Sequence, residues 1–217
     1  MKYDTIIFDL DGTLLNTLDD LADSMNYALK ECGYPLRERN EIRRFIGGGA
    51  KVLVSSSVPE GLSKEEIEHC QSVFLDYYVK HSNDKTDLYP GMKELVHTLA
   101  EAGYRQGVVS SKGDGPVKDL IFGYFREDIG IAIGQRDDLK KKPAPDSVLK
   151  AIEMLGSTVE RSIYVGDSEV DVETAKNTGI PCVIVTWGFR DREELEALKP
   201  DYIVDTKEQL EAILMGK

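Results

Sequence analysis

The chain has 217 residues, of which 41% are hydrophobic, enough for one good core with an insertion or for two modest domains. Its formal net charge of -12 argues against nucleic acid and anionic membranes as partners, because the densest basic run is only residues 140–142. Three scattered cysteines exclude a disulfide framework and a zinc site with paired ligands, and no apolar stretch approaches the ~20 residues of a membrane span. We expect a cytoplasmic protein with reduced thiols.

The first predicted element is a strand from Tyr3 to Phe8 that leads into two carboxylates. The run is apolar without alternation, which is typical of a parallel strand covered on both faces. Asp9 and Asp11 follow directly, Gly12 permits a sharp turn, and Thr13 is predicted to cap the next helix. Ligands bind at the carboxyl ends of such strands, so both carboxylates are expected in a binding corner. A cleaved signal peptide is not expected, because cleavage would remove that corner.

The segment from residue 14 to about residue 85 is predicted to be helical and free of strands. Apolar residues recur at helical spacing in two stretches, which predicts two amphipathic helices. The residues of the two faces are Leu18, Leu21, Ala22, Met25, Leu29 and Cys32, and then Ile67, Cys70, Phe74, Tyr77 and Tyr78.

From Tyr89 onward, short apolar runs alternate with helical stretches, which predicts a βαβ series. Three helices are expected to end at glycines, Gly103, Gly156 and Gly179. We therefore predict an α/β fold, a doubly wound parallel sheet, with a core domain of residues 1–14 and 86–217 and a helical insert of residues 15–85. The later strands are predicted at residues 107–109, 129–133, 162–165, 182–185 and 202–204.

Polar residues follow several of these predicted strands. Ser110-Ser111-Lys112 follows one strand, Gly166-Asp167-Ser168 follows another, and Asp171 lies four residues beyond Asp167. Lys142 stands before Pro143 at the opening of a predicted helix. The carboxyl ends of parallel strands meet at one edge, so these groups are expected to meet there.

Structural explanations compete with each functional one. An Asp-x-Asp-Gly sequence also occurs in turns and calcium loops, and an acidic pair at a helix start can simply cap that helix. Lys141 could replace Lys142. His69, His81 and His97 are interpreted as surface or packing residues, and the aromatic residues of Trp187-Gly188-Phe189 as packing at a strand exit.

The four motifs resemble those of the haloacid dehalogenase-like hydrolase superfamily, in the same order and over essentially the whole chain. They are Asp9-Leu10-Asp11-Gly12-Thr13, Ser110, Lys142, and Gly166-Asp167-Ser168-Glu169-Val170-Asp171. The helical insert is similar to the α-helical (type C1) cap of that family. Residues 44–49, which read Arg-Phe-Ile-Gly-Gly-Gly, are similar to members called phosphoglycolate phosphatases.

The resemblance implies a phosphatase that acts on a small phosphorylated metabolite such as phosphoglycolate. Asp9 would form an aspartyl-phosphate, and Asp11 would protonate the leaving group and then deprotonate water. Ser110 and Lys142 would hold the phosphoryl oxygens. The implied Mg²⁺ ligands are Asp9, the Asp11 carbonyl and Asp167, with Asp171 at or behind them. The expected substrate-binding residues are Gly12, Thr13, Ser111, Arg44 and Gly48.

Charge counting supports the need for a metal ion. Four carboxylates and one lysine would repel a phosphate dianion, since like charges at ~4 Å cost about 4 kcal/mol per pair at an effective dielectric of ~20. Binding therefore requires a dication and a protonated Asp11. We expect no nucleic-acid or membrane partner, and a monomer or weak homodimer.

Several functions remain open from the sequence. A phosphomutase would use the same residues, although family mutases often carry Glu where this chain has Gly166. A pyrophosphatase of the same superfamily is a second alternative. Dehalogenase activity is disfavoured, because cleavage of a carbon–halogen bond does not need an acid such as Asp11. A phospho-accepting receiver-type domain or an idle binding protein would not turn substrate over.

Overall fold

The computed structural model describes residues 3–216, which form two compact units. The first unit comprises the described residues up to Leu15 and from Leu88 onward, and the second is Asn16–Asp87. The predicted division lay one and two residues away from these boundaries, after residue 14 and after residue 85. Among the described residues, no helix is both long and apolar enough to cross a membrane.

A six-stranded parallel sheet forms the centre of the first unit, in the order β5-β4-β1-β6-β7-β8. This arrangement confirms the predicted α/β fold with a parallel sheet. The strands are β1 (Thr5–Phe8), β4 (Arg105–Gly113), β5 (Ile131–Gln135), β6 (Ser162–Gly166), β7 (Cys182–Val185) and β8 (Tyr202–Val204). The helices between and after them are α5 (Met92–Glu101), α6 (Asp114–Phe125), α7 (Asp146–Met154), α8 (Glu169–Thr178), α9 (Arg192–Ala197) and α10 (Lys207–Met215).

Strand β1 lies between β4 and β6 and is fully buried. Ile6 and Phe8 belong to the hydrophobic cluster on one face of the sheet, and Ile7 belongs to the cluster on the other face. Helices cover both faces, so the side chains of β1 meet apolar surroundings on either side. This arrangement explains why the strand shows no alternation of polar and apolar residues.

The second unit is helical. It contains α1 (Leu18–Glu31), α2 (Arg39–Phe45), α3 (Ala50–Ser57) and α4 (Lys64–His81). The predicted apolar face of α1 is buried from Leu18 to Leu29, and Cys70, Phe74 and Tyr78 are buried on α4. Cys32 lies just beyond the last residue of α1, and Ile67 and Tyr77 are only half-buried.

Two predictions for the segment after the first corner are wrong. The segment is not free of strands, because β2 (Leu15–Asn16) pairs with β3 (Asp87–Leu88) in a two-stranded sheet. Thr13 does not cap a helix, because α1 begins after Thr17. The predicted helix ends at Gly103, Gly156 and Gly179 are confirmed, since all three adopt the positive φ that glycine tolerates.

Candidate active site

Asp9 lies at the carboxyl end of β1, where its backbone is fixed by the neighbouring strand. Its amide donates to the Val165 carbonyl at 2.8 Å, and its side chain is buried. The chain then turns through Gly12, whose φ is +88°. Asp11 is half-buried in the same turn, so both predicted carboxylates lie in the corner.

Lys142 joins two carboxylates of the site. Its Nζ lies 2.8 Å from Asp9 Oδ1 and 2.6 Å from Asp171 Oδ1, and its side chain is 3% exposed. The neighbouring Lys141 is exposed. The structure therefore places Lys142, and not Lys141, at the predicted position.

Asp171 accepts hydrogen bonds on both oxygens. Oδ1 accepts from Lys142 and from the Tyr164 hydroxyl at 3.0 Å. Oδ2 accepts from the amides of Asp167 and Ser168, each at 3.1 Å, and from Ser168 Oγ at 2.6 Å. Asp171 and Ser168 form a capping box at the start of α8. The capping explanation is thus correct for Asp171, which at the same time holds Lys142 and Asp167 in place.

The Asp167 carboxylate fits between backbone segments that carry no side chain. A Cβ at Gly12 or at Gly188 would lie 2.3 Å from Asp167 Oδ2. The amide of Phe189 donates to the same oxygen at 2.7 Å. A Cβ at Gly166 would lie 2.4 Å from the Asp171 side chain. Three glycines therefore leave the space that the two carboxylates fill.

The electrostatics reflect three buried carboxylates sharing one lysine. Burial, opposed by Lys142, raises the pKa of Asp9 to about 7. Burial and the charges of Asp171 and Asp9 raise the pKa of Asp167 well above its usual value. Burial would also raise the pKa of Asp171, but Lys142 and the hydrogen bonds hold it below the usual value.

Asp9, Asp167 and Asp171 can each present an oxygen such that the three atoms lie within 4.8 Å of one another. Within residues 3–216, Asp9 Oδ2 and Asp167 Oδ1 accept no hydrogen bond. The raised pKa values of Asp9 and Asp167 show that their negative charge is under-compensated. Oxygen donors of this kind fit a hard divalent cation.

The end of β4 contributes Ser110 and Lys112 to the site. Both side chains are buried, as expected for alternate residues of a strand, while Ser111 between them is half-buried. Ser110 Oγ accepts from the Lys112 amide at 3.2 Å. Lys112 Nζ lies 3.0 Å from Asp11 Oδ1, and the lysine side chain is 5% exposed.

Thr13 is buried, and its hydroxyl has no hydrogen-bond partner among residues 3–216. Its carbonyl accepts from the Trp187 indole at 3.1 Å, and Trp187 also packs against Tyr89. The packing explanation for Trp187 is therefore correct.

Arg44 and Gly48 belong to the helical unit. Arg44 is exposed near the end of α2. Gly48 has a local structural explanation, since a Cβ there would lie 2.7 Å from the Val52 side chain. Their substrate-binding roles remain predictions.

Sequence reasoning assigned no site role to four contributors, Tyr164, Lys112, Gly188 and Phe189. Lys112 follows Ser110 by two residues on a strand, so the alternation rule could have placed both side chains on one face. Gly188 stands directly after a strand exit, which could have suggested a close backbone approach. Tyr164 gives no such signal, because a tyrosine in a buried strand is ordinary.

The parallel sheet and its acidic edge define a haloacid dehalogenase-like hydrolase, and the family model of that description matches residues 6–185. The chain belongs to this family. It is 34% identical to the phosphoglycolate phosphatase of Mesorhizobium japonicum, over 90% of this chain and 88% of the relative. It is 33% identical to that of Pseudomonas putida, over 97% of this chain and 78% of the relative.

A crystal structure of a provisionally assigned phosphoglycolate phosphatase from Lactobacillus delbrueckii subsp. bulgaricus has a TM-score of 0.95. Its identity is 32%, and each chain is covered completely. These relatives identify the protein as a phosphoric monoester hydrolase of the phosphoglycolate phosphatase type. Its enzymatic class excludes the receiver-type domain and the idle binding protein.

Proposed function

We propose that the protein hydrolyses a small, phosphoglycolate-like phosphomonoester in a Mg²⁺-dependent reaction that passes through an aspartyl-phosphate on Asp9. The observation that carries the proposal is the buried Asp9–Lys142–Asp171 triad beside Asp167 at the carboxyl edge of the sheet. The names of the relatives support phosphoglycolate as the first substrate to test.

Asp9 and Asp167 would hold the metal ion with their unpaired oxygens, together with the Asp11 carbonyl. Asp171 fits a supporting position better than a ligand position, because both of its oxygens already accept hydrogen bonds. Mg²⁺ would supply positive charge for the transferring phosphoryl oxygens. With Asp11 protonated for its role as an acid, the other three carboxylates and the two lysines, Lys112 and Lys142, leave one negative charge, which one dication outweighs.

Asp9 would attack phosphorus with the carboxylate oxygen that does not hold the metal ion. Lys142 and the Ser110 hydroxyl would then bind phosphoryl oxygens, and Gly12, Thr13 and Ser111 would contribute to substrate binding. Asp11 would give a proton to the leaving oxygen and later take one from water, which requires it to lie within hydrogen-bonding reach of that oxygen. The exposed oxygen of Asp11 could make that approach.

Hydrolysis is favoured over phosphomutase chemistry by Gly166. A glutamate there, as family mutases often carry, would bring its Cβ to 2.4 Å from Asp171 in this structure. A pyrophosphatase remains the second candidate and would use the same residues.

The test is turnover of a panel of phosphorylated metabolites, including phosphoglycolate and pyrophosphate, with and without Mg²⁺. We expect Asp9→Asn to lower kcat by about 1000-fold or more, because the nucleophile is lost. Asp119→Asn, on the exposed side of α6, is the matched control and should keep full activity. Normal turnover by Asp9→Asn would refute the nucleophile assignment, and full activity without a divalent cation would refute the metal requirement.

A further inference from the structure

Lys112 is a buried lysine that the reaction described above does not use. Its side chain is 5% exposed, and such burial is rare for lysine unless the ammonium has an anionic partner. That partner is Asp11 Oδ1, at 3.0 Å. Even so, Asp11 Oδ1 accepts no hydrogen bond of good geometry within residues 3–216. The two groups form an ion pair that is close but poorly aligned.

The position of Lys112 follows from the strand that carries Ser110. Both side chains are buried near the end of β4, and the Lys112 amide donates to the Ser110 hydroxyl. If Ser110 holds a phosphoryl oxygen and Asp11 reaches the leaving oxygen, the Lys112 ammonium lies beside the leaving group. A cation in that place serves the alcohol part of the substrate and not the phosphoryl part.

The charges of the site also indicate that Lys112 serves the alcohol part of the substrate. The four carboxylates of the site outnumber its two lysines, and one of these lysines, Lys142, already contacts Asp9 and Asp171. A substrate with an anion on its alcohol part brings a further negative charge into the acidic corner. That charge needs its own cation, and Lys112 is the lysine next to the proton donor.

We propose that Lys112 is a specificity-determining residue that binds a carboxylate on the leaving group, one methylene away from the ester oxygen. On binding, the substrate carboxylate would pair with the Lys112 ammonium in place of Asp11. The Asp11 side chain would then contact the ester oxygen. This inference rests on the proposed phosphatase function and adds the residue that would distinguish a leaving group with a carboxylate from a neutral one.

The test compares phosphoglycolate with 2-hydroxyethyl phosphate, which has a neutral leaving group of the same length. Wild-type protein with Mg²⁺ should show a kcat/KM for phosphoglycolate that is at least about 10-fold higher than its kcat/KM for 2-hydroxyethyl phosphate. Lys112→Met should lower the ratio of kcat/KM for phosphoglycolate to kcat/KM for 2-hydroxyethyl phosphate by roughly 10- to 100-fold, beyond any loss that both substrates share through the lost contact with Asp11. Lys112→Arg keeps the charge and should retain part of the preference.

Lys150→Met is the matched control, because Lys150 pairs with Glu153 on the exposed side of α7 and should leave both values unchanged. Equal losses on both substrates, or no loss on either, would overturn the proposal. If Lys112→Met does not fold, the wild-type protein alone tests the proposal. Equal kcat/KM values for phosphoglycolate and 2-hydroxyethyl phosphate would then overturn it. Failure of the proposed function looks different, since wild-type protein would then turn over neither ester with Mg²⁺.

Discussion

Lys142 combines its proposed catalytic role with a structural one. Its ammonium pairs with Asp9 and Asp171 inside the protein, and burial alone would lower the pKa of such a group. The two carboxylates outweigh burial and raise the pKa of Lys142 well above its usual value, so that it stays charged.

We therefore expect Lys142→Met to reduce both activity and stability. Losing one member of a buried ion pair costs about 3–5 kcal/mol, because it leaves Asp9 and Asp171 buried without their cation. Urea unfolding should show this loss in the free energy of unfolding, and kcat should fall by at least about 100-fold. Lys141→Met, at the exposed neighbour, is the control. Equal effects of the two variants would contradict the assignment.

The glycines around Asp167 give a second prediction at this scale. Gly12→Ala would force the Asp167 carboxylate away from its position, since the added Cβ would lie 2.3 Å from Oδ2. We expect weaker Mg²⁺ activation and a fall in kcat/KM of about 10-fold or more, measured by titrating Mg²⁺ in the assay.

The control separates crowding from backbone strain. Gly156→Ala changes a glycine with a similar positive φ, but nothing lies within 4 Å of its added Cβ. It should cost about 1 kcal/mol of stability and leave Mg²⁺ activation unchanged. If both variants lose activation equally, strain and not the contact with Asp167 explains the effect.

Among the elements, α1 is attached to the end of the helical unit by one buried carboxylate. Asp20 accepts from the amides of Lys85 and Thr86, and from the Thr86 hydroxyl at 2.7 Å. Helix α1 is thus held to the segment just before β3. The bonds all lie within the second unit.

We expect Asp20→Ala to destabilise the helical unit by about 2–4 kcal/mol, because it leaves buried amides without an acceptor. Limited proteolysis should cut the variant near residues 82–87 earlier than it cuts wild-type protein. Asp23→Ala is the control, since Asp23 is exposed and pairs only with the Lys85 side chain at the surface. Cleavage at the wild-type rate in Asp20→Ala would show that this anchor is unimportant.

Element type was predictable where the sequence pattern has a single physical explanation. Apolar runs without alternation gave the buried parallel strands, and glycines with positive φ gave the helix ends. The two-residue strand β2 was not predictable, because its pairing with β3 depends on residues about 70 positions away. Thr13 failed as a cap because the chain continues to Thr17 before α1 begins.

The predicted site residues of the first unit come together because parallel strands end at one edge. Asp9, Ser110, Lys142, Asp167 and Asp171 could be chosen from strand exits and spacing. The pairing of Lys112 with Asp11 could not, because the two residues lie far apart in the sequence and leave no local pattern, and the pairing of Tyr164 with Asp171 joins a strand to the helix that follows it without a sequence signal. For Arg44 and Gly48 the sequence argument remains a prediction.

The molecule as a whole carries a net charge of -12 and buries several carboxylates in its site. Asp9 has a folded pKa of about 7 against 3.8 for the free group, and the pKa of Asp167 is also raised. A raised carboxyl pKa stabilises the fold at pH values below the free pKa, and that stability is lost as pH rises through the folded pKa. The pKa of Asp171 is lowered, so Asp171 contributes stability that is lost as the pH falls through its folded pKa.

We therefore expect Mg²⁺ to stabilise the protein more at pH 8 than at pH 5.5. At the higher pH, Asp9 is ionised and the bound dication relieves a penalty on the order of a few kcal/mol. Thermal unfolding with and without Mg²⁺ at the two pH values measures the difference in Tm. Asp9→Asn should reduce the gain at pH 8. An equal gain at both pH values would contradict this account.

The pairing of β2 with β3 has a consequence for how such an enzyme can diversify. The chain leaves the catalytic unit at one strand and returns at the strand beside it, so the ends of the helical segment are neighbours. Segments joined at adjacent ends can lengthen, shorten or be exchanged at little entropic cost. A helical segment attached in this way can therefore be exchanged for another while Asp9, at the end of β1, stays in place.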